Sequence, residues 1–225
     1  WQDFLTAFIF GVYDKDGLLM FNEFLVYMGR GAGKTGYMSR LELALASVEG
    51  HKKYHVDIVA TSEDQAKESF NDIWEILDED KRNNGGRKYK RYFYFTKEQI
   101  IFRPTNSRIR YRTNNAKTKD GGRQGVVIFD EVHAYEDESN IKVFVSGLGK
   151  RPKSRRFYFT TDGYNRGGFL DQLKSEVPLI LNGDRPNRKT FPLLFAIDDK
   201  DEIHNPDMWE KANPSLRYFP HLKQE

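Results

Sequence analysis

An apolar run, Phe24-Leu25-Val26-Tyr27-Met28, stops at Gly29-Arg30-Gly31-Ala32-Gly33, which delivers Lys34 and Thr35 to the start of a segment with helical periodicity. No other stretch constrains the chain so tightly, because a strand, a glycine-rich turn and a helix N-terminus in that order form an anion cradle. Glycines let backbone N–H groups close around phosphate oxygens, and the helix end adds partial positive charge. The lysine reaches the β- and γ-phosphates and the threonine hydroxyl ligates Mg²⁺. Gly29, Arg30, Gly31, Ala32, Gly33, Lys34 and Thr35 are therefore the candidate nucleotide-binding residues. The usual G-x-x-x-x-G-K-[ST] spacing would place a glycine where Met28 stands, so this loop is a variant.

A second anchor is Val126-Val127-Ile128-Phe129 running into Asp130-Glu131. The apolar residues bury a strand, and two carboxylates emerge at its carboxyl end, where a parallel sheet places its ligands. Adjacent carboxylates point in different directions, which suits two roles. Asp130 can hold Mg²⁺, and Glu131 can polarise the water that attacks the γ-phosphate of ATP.

Around these anchors the periodicities alternate. Trp1 to Gly11 reads as a helix, in which Gln2, just ahead of the first strand, is placed to pair with an adenine edge. After the loop, Met38, Leu41, Leu45 and Val48 share a helical face that Gly50 ends. A strand over Val56 to Ala60 leads through Thr61-Ser62-Glu63-Asp64 into a helix carrying Phe70, Ile73, Trp74 and Leu77. From Asp78 to Arg91 the chain reads as a polar loop, solvated or contacting phosphate. Two short strands follow, Gln99 to Phe102 and Ser107 to Arg112, the second with Arg108, Arg110 and Arg112 on one face. Thr113 to Gln124 reads as a mobile loop. Beyond the carboxylates come a helix over Ile141 to Leu148 and the basic run Lys150 to Arg156, then a strand Phe157 to Phe159 ending in Thr160-Thr161-Asp162-Gly163. A helix over Gly168 to Leu181 and a last strand over Phe191 to Ile197 complete the order. Strands alternating with helices predict an α/β fold with a mostly parallel sheet and right-handed crossovers. Hydroxyls of Thr160 and Thr161, beside the metal-binding strand, can sense the γ-phosphate. Within the basic run, Lys150, Arg151 and Lys153 are candidate DNA contacts, the alternative being a solvated turn.

A chain of 225 residues, 38% hydrophobic, can bury one substantial core with a small appendage. Zero cysteines rule out disulfides and thiolate metal sites, and a net charge of +3 is too small to identify a nucleic-acid binder. No apolar run approaches the ~20 residues of a membrane span, and no leader precedes Trp1, so neither secretion nor membrane insertion is expected. Residues 1–197 are expected to form the ATPase domain and 198–225 a covering segment or linker, the whole being a piece of a longer protein.

MGRGAGKT, VVIFDEVH and FTTDG, in this order, resemble the ATPase domain of phage terminase large subunits, which pump double-stranded DNA into empty capsids. The stretch AIDDKDEIHNPDMWEKANPSL resembles the segment that follows that ATPase core. The resemblance implies a P-loop NTPase of the additional-strand, RecA-like type using ATP and Mg²⁺. In it Gln2 resembles the adenine-reading glutamine, Thr160 and Thr161 the coupling motif, and Arg30 the loop arginine. Arg123 resembles, more loosely, an arginine that a neighbouring subunit presents to the active site. The expected partners are double-stranded DNA, a portal protein, a small terminase subunit and further copies in a homo-oligomeric ring on the procapsid, with the isolated domain free to be monomeric. The expected location is the host cytoplasm. A nuclease domain would follow, outside this chain. Asp130-Glu131-Val132-His133 also spells a DExH box, which keeps a helicase or nucleic-acid translocase as the alternative, although the residues after Phe191 offer neither the length nor the arginine motif expected of the second ATPase-like domain such enzymes require. A nucleotide-dependent switch without hydrolysis is disfavoured by Glu131.

Overall fold

The computed structural model describes residues 1–113, 123–136, 138–186 and 189–223. In chain order the elements are α1 (Gln2–Gly11), β1 (Glu23–Tyr27), α2 (Lys34–Val48), β2 (His55–Ala60), α3 (Glu63–Asn84), β3 (Phe93–Phe95), β4 (Ile100–Phe102), β5 (Ser107–Thr113), β6 (Gln124–Phe129), α4 (Ser139–Val145), β7 (Arg155–Thr160), α5 (Phe169–Leu181) and β8 (Thr190–Leu194), with short 3₁₀ turns between 200 and 223. The eight strands follow the order β3-β4-β5-β2-β6-β7-β1-β8, and no helix among the described residues is long and apolar enough to cross a membrane. Contacts divide the chain into two compact units, Trp1–Lys34 with Glu131–Glu136 and Tyr158–Glu225, and Thr35–Asp130 with Asp137–Phe157.

In the first unit, Phe24, Leu25 and Val26 are almost wholly buried, as befits a parallel strand covered on both faces. β1 pairs in parallel with β8, Phe24 opposite Phe191, and the buried Glu23 accepts a hydrogen bond from Thr190 at 2.9 Å. Around Phe191 gather Phe8 at 4.4 Å and Phe21 at 5.2 Å between ring centroids, while α1 buries Leu5 and Ile9. Apolar burial of this kind contributes about 1.5–3 kcal/mol per large side chain and holds the start of the phosphate loop in place.

In the second unit, β2 runs parallel to both β5 and β6, with Val56 opposite Ile109 and Val126, and Ile58 opposite Tyr111 and Ile128. Because side chains alternate along a strand, these residues share one face, and α3 covers it, Phe70 meeting Tyr111 edge-on at 5.2 Å. The other face of the same strands carries His55, Asp57, Arg108, Arg110 and Arg112. β3 and β4 extend the sheet antiparallel beyond β5.

Three readings of the sequence are corrected. The polar stretch from Asp78 is helical as far as Asn84. Asp78 pairs with Arg82 at 2.9 Å, Asn84 bonds Asp80 at 3.3 Å, and Gly85 ends the helix at φ 62. Val48 does not join the buried face of α2 but is 70% exposed. The strand expected from Phe157 begins two residues earlier, at Arg155, which is fully buried. The predicted mobile loop lies outside the described residues except at its ends, Thr113, Arg123 and Gln124.

Candidate active site

The phosphate loop belongs to the first unit and is held from several sides. Gly31 and Gly33 adopt φ 70 and 83, a left-handed backbone that L side chains rarely take. The carbonyls of the loop are bonded by the chain that follows β8: Asn213 Nδ2 donates to Arg30 O at 2.7 Å and Ser215 Oγ to Ala32 O at 2.8 Å. The amide of Gly29 donates in turn to Ala212 O at 2.7 Å. These bonds occupy the Arg30 and Ala32 carbonyls and tie the loop to the segment after β8. Lys34, only 8% exposed, donates to Met28 O at 3.3 Å and Gly29 O at 3.1 Å, so its ammonium is already folded across the loop. Gln2 starts α1 beside this loop: a Cβ built on Gly33 would lie 3.6 Å from Gln2 Nε2. Arg30 is exposed.

Glu131 lies in the same unit. It takes φ 48 and ψ 55, and this turn carries its carboxylate to the end of β7. Oε2 stands 3.0 Å from His133 Nδ1, and both the amide and hydroxyl of Thr161 donate to it at 3.4 Å. Thr160 Oγ1 accepts from the His133 amide at 3.0 Å and donates to Thr161 O at 2.7 Å. The two threonines proposed from sequence to sense phosphate are thus hydrogen-bonded around the glutamate proposed to activate water. Gly163 lines the same spot, where a Cβ would fall 2.5 Å from the His133 ring.

Thr35 and Asp130, the proposed metal-binding pair, both fall in the second unit, each joined by a peptide bond to a residue of the first. Asp130 is 6% exposed and its amide donates to Val59 O at 2.9 Å, which fixes it at the end of β6. One hydroxyl and one buried carboxylate are hard oxygen donors and suit Mg²⁺, which binds through one or two protein ligands plus substrate phosphates. No cluster of three His, Asp or Glu that could hold a metal occurs among the described residues. Arg123 is exposed immediately before β6. The basic run separates: Lys150 is exposed and Arg151 half-buried, while Lys153, at φ 54, lies 4.0 Å from Glu49.

Sequence reasoning overlooked His133, Asn213 and Ser215. His133 was visible within the DEVH string, yet its role depends on the left-handed turn at Glu131. Asn213-Pro214-Ser215 carries a helix-cap pattern, and Asn213 Oδ1 does accept from the Ser215 amide at 3.0 Å. Nothing in that pattern reveals that the amide end reaches the phosphate loop.

The family model for the terminase large subunit ATPase domain matches residues 1–177. The terminase large subunit of Lactococcus phage p2 is 25% identical over 228 residues, covering 98% of this chain and 40% of its own length. The chain therefore spans about 40% of that curated relative. Among solved structures, the HK97 bacteriophage large terminase superposes with a TM-score of 0.77 at 18% identity, over 96% of this chain and 43% of its own. The large terminase of a thermophilic bacteriophage, solved in complex with ADP, gives 0.53 at 12% identity over 93% of this chain and 48% of its own. These likenesses support the fold, a RecA-like P-loop ATPase.

Proposed function

Because the chain belongs to the terminase large subunit ATPase-domain family, we propose that it binds ATP with Mg²⁺ and hydrolyses it to drive double-stranded DNA into a procapsid. The observation that carries the reading is the placement of Glu131 and the phosphate loop in one unit, with Thr161 and His133 fixing the carboxylate. In this reading the loop amides and Lys34 take the phosphates, and Gln2 reads the adenine edge. Thr35 and Asp130 hold Mg²⁺, which neutralises charge on the phosphate oxygens when bound. Glu131 orients the attacking water and accepts its proton. Thr160 and Thr161 bond to its immediate surroundings, so loss of the γ-phosphate can be transmitted to the end of β7. The supporting arginine is Arg30 in the loop, or Arg123 supplied by a neighbour in a ring.

The remaining assignments are part of the same proposal, the DNA contacts resting on the basic run before β7 and the rest on the likeness to the family. Double-stranded DNA is the substrate, contacted in part through Lys150, Arg151 and Lys153. A portal protein and a small terminase subunit are the partners, the host cytoplasm is the location, and a nuclease domain lies beyond residues 198–225. The helicase alternative is not favoured by the family match. The decisive experiment compares two variants. Lys34→Ala should lose nucleotide binding. Glu131→Gln should retain it while turnover falls by orders of magnitude. Turnover near the native rate in Glu131→Gln would remove the proposed base.

A further inference from the structure

Positive charge is concentrated in one stretch of this chain. Residues 81–103, from the last turns of α3 to the residue after β4, hold eight lysines and arginines against one acid, Glu98, whereas the whole chain nets only +3. The rest of the chain is therefore net negative. Arg82 pairs with Asp78 within α3 at 2.9 Å, but the other seven cations are exposed and none forms an ion pair among the described residues. The fold gathers three of them: Lys81 on α3, Lys90 in the turn that follows and Arg103 just after β4 line one cavity of about 200 Å³. The single carboxylate in its wall is that of Asp80, 5% exposed, and both oxygens are taken. Oδ1 accepts from Asn84 Nδ2 at 3.3 Å and Oδ2 from the Tyr89 amide at 3.1 Å, so Asp80 folds the turn instead of neutralising the cations. The turn closes on Lys90, whose amide donates to Gly86 O at 2.9 Å.

The aromatic rings of the same wall decide the ligand. Lys81 Nζ lies 5.8 Å from the centroid of Phe95, Lys88 Nζ 4.9 Å from that of Tyr89 and the Arg103 guanidinium 5.6 Å from that of Tyr94, while Phe93 packs on Phe102 at 5.3 Å. A ring attracts a cation without neutralising it, so these side chains are held in place with their charge intact. Single-stranded nucleic acid binds by laying its bases on open aromatic faces. Here cations already occupy a face of three rings and the fourth is packed, so what the surface offers is charge. A duplex backbone, with one negative charge per about 1.7 Å of axis, fits such a surface.

We propose that the exposed surface made by the end of α3, the turn at 85–92 and the β3–β4 pair, centred on Lys81, Lys90 and Arg103, binds the phosphodiester backbone of duplex DNA. Contacts to phosphate carry no base information, so binding here is independent of sequence. Resting on the DNA-translocation reading above, this surface adds a second set of contacts to the basic run before β7.

Fluorescence anisotropy of a short labelled duplex across a salt series tests it, with a single strand of the same length titrated alongside. The proteins are the native chain, Lys81→Ala/Lys90→Ala/Arg103→Ala, the single exposed change Lys90→Glu, and a control, Lys15→Ala/Lys52→Ala/Lys200→Ala, that removes the same charge from exposed positions elsewhere. Each phosphate contact contributes about 0.9 to the slope of log K against log salt, so the first triple variant should lose about 2.7, Lys90→Glu at least about 0.9, and the control less than about 0.9. Native urea midpoints verify that the variants fold. Native slope and affinity in both the first triple variant and Lys90→Glu would overturn the surface while leaving the translocation reading intact. An equal loss in the control would do the same, by reducing the effect to net charge. Loss of affinity for the single strand alone would overturn the duplex as the ligand. Absence of duplex binding by the native chain at low salt would overturn both the surface and the translocation reading.

Discussion

Glu131 holds a left-handed backbone that costs an L residue about 1–2 kcal/mol, and such outliers persist where surrounding contacts over-determine them. The contacts here are His133 and Thr161, and their effect is to aim a carboxylate. Asp130 and Glu131 were legible as a pair because an apolar strand ending in two acids has few other uses beside a phosphate loop. The aim was not legible, since it depends on a dihedral angle and on residues thirty positions away. Glu42 was illegible altogether. It lies on α2 fully buried, and burial pushes its carboxyl well above the ordinary range; Asp130 and Asp72 add to this and Ser69 opposes it, although neither side chain has a hydrogen-bond partner among the described residues. The folded state therefore keeps Glu42 protonated where the unfolded chain ionises it. Its contribution to stability is full below about pH 4.5 and declines as pH rises towards the folded pKa. Glu42→Gln should remove that decline. Urea unfolding at pH 5 and pH 8 checks this, with the variant gaining on the native protein at the higher pH.

At the scale of elements, strands with continuous apolar runs were read correctly because composition and burial agree, as in β1 and β6. α3 was cut short because its last two turns are polar all round and are held by side-chain pairs and a glycine cap instead of a buried face. β3 escaped notice because a three-residue strand with Tyr94 45% exposed carries little pattern. The basic run before β7 shows how a charge count misleads. Arg155 is fully buried against Glu49 at 2.6 Å and bonds Tyr54 Oη at 3.1 Å, whereas Lys150 projects into solvent. Removing one member of a buried ion pair leaves the other charge uncompensated, so Arg155→Ala should cost about 3–5 kcal/mol. Lys150→Ala should stay within about 0.5 kcal/mol. Denaturant midpoints separate the two, and equal values would mean that Arg155 is not structural.

At the scale of the whole molecule, the sequence specified the order of elements and hence the family, while assembly has to be tested in solution. If Arg123 acts on a neighbouring subunit, mixing Arg123→Ala with Glu131→Gln protein should restore ATP turnover, because some interfaces then join an intact site to an intact arginine. No recovery where rings demonstrably form would leave Arg30 as the supporting arginine.

The ties from Ala212, Asn213 and Ser215 to the phosphate loop have a consequence for local opening. A loop whose outer carbonyls are bonded to another segment cannot fray until that segment lifts. The amides of the loop and of residues 206–216 should therefore exchange with solvent deuterium as one cooperative unit, with a shared opening free energy. Asn213→Ala should speed exchange in both stretches together and leave β2 and β6 unaffected. The nucleotide cradle would then be the inner half of a single foldon, closed by residues nearly two hundred positions away in the chain.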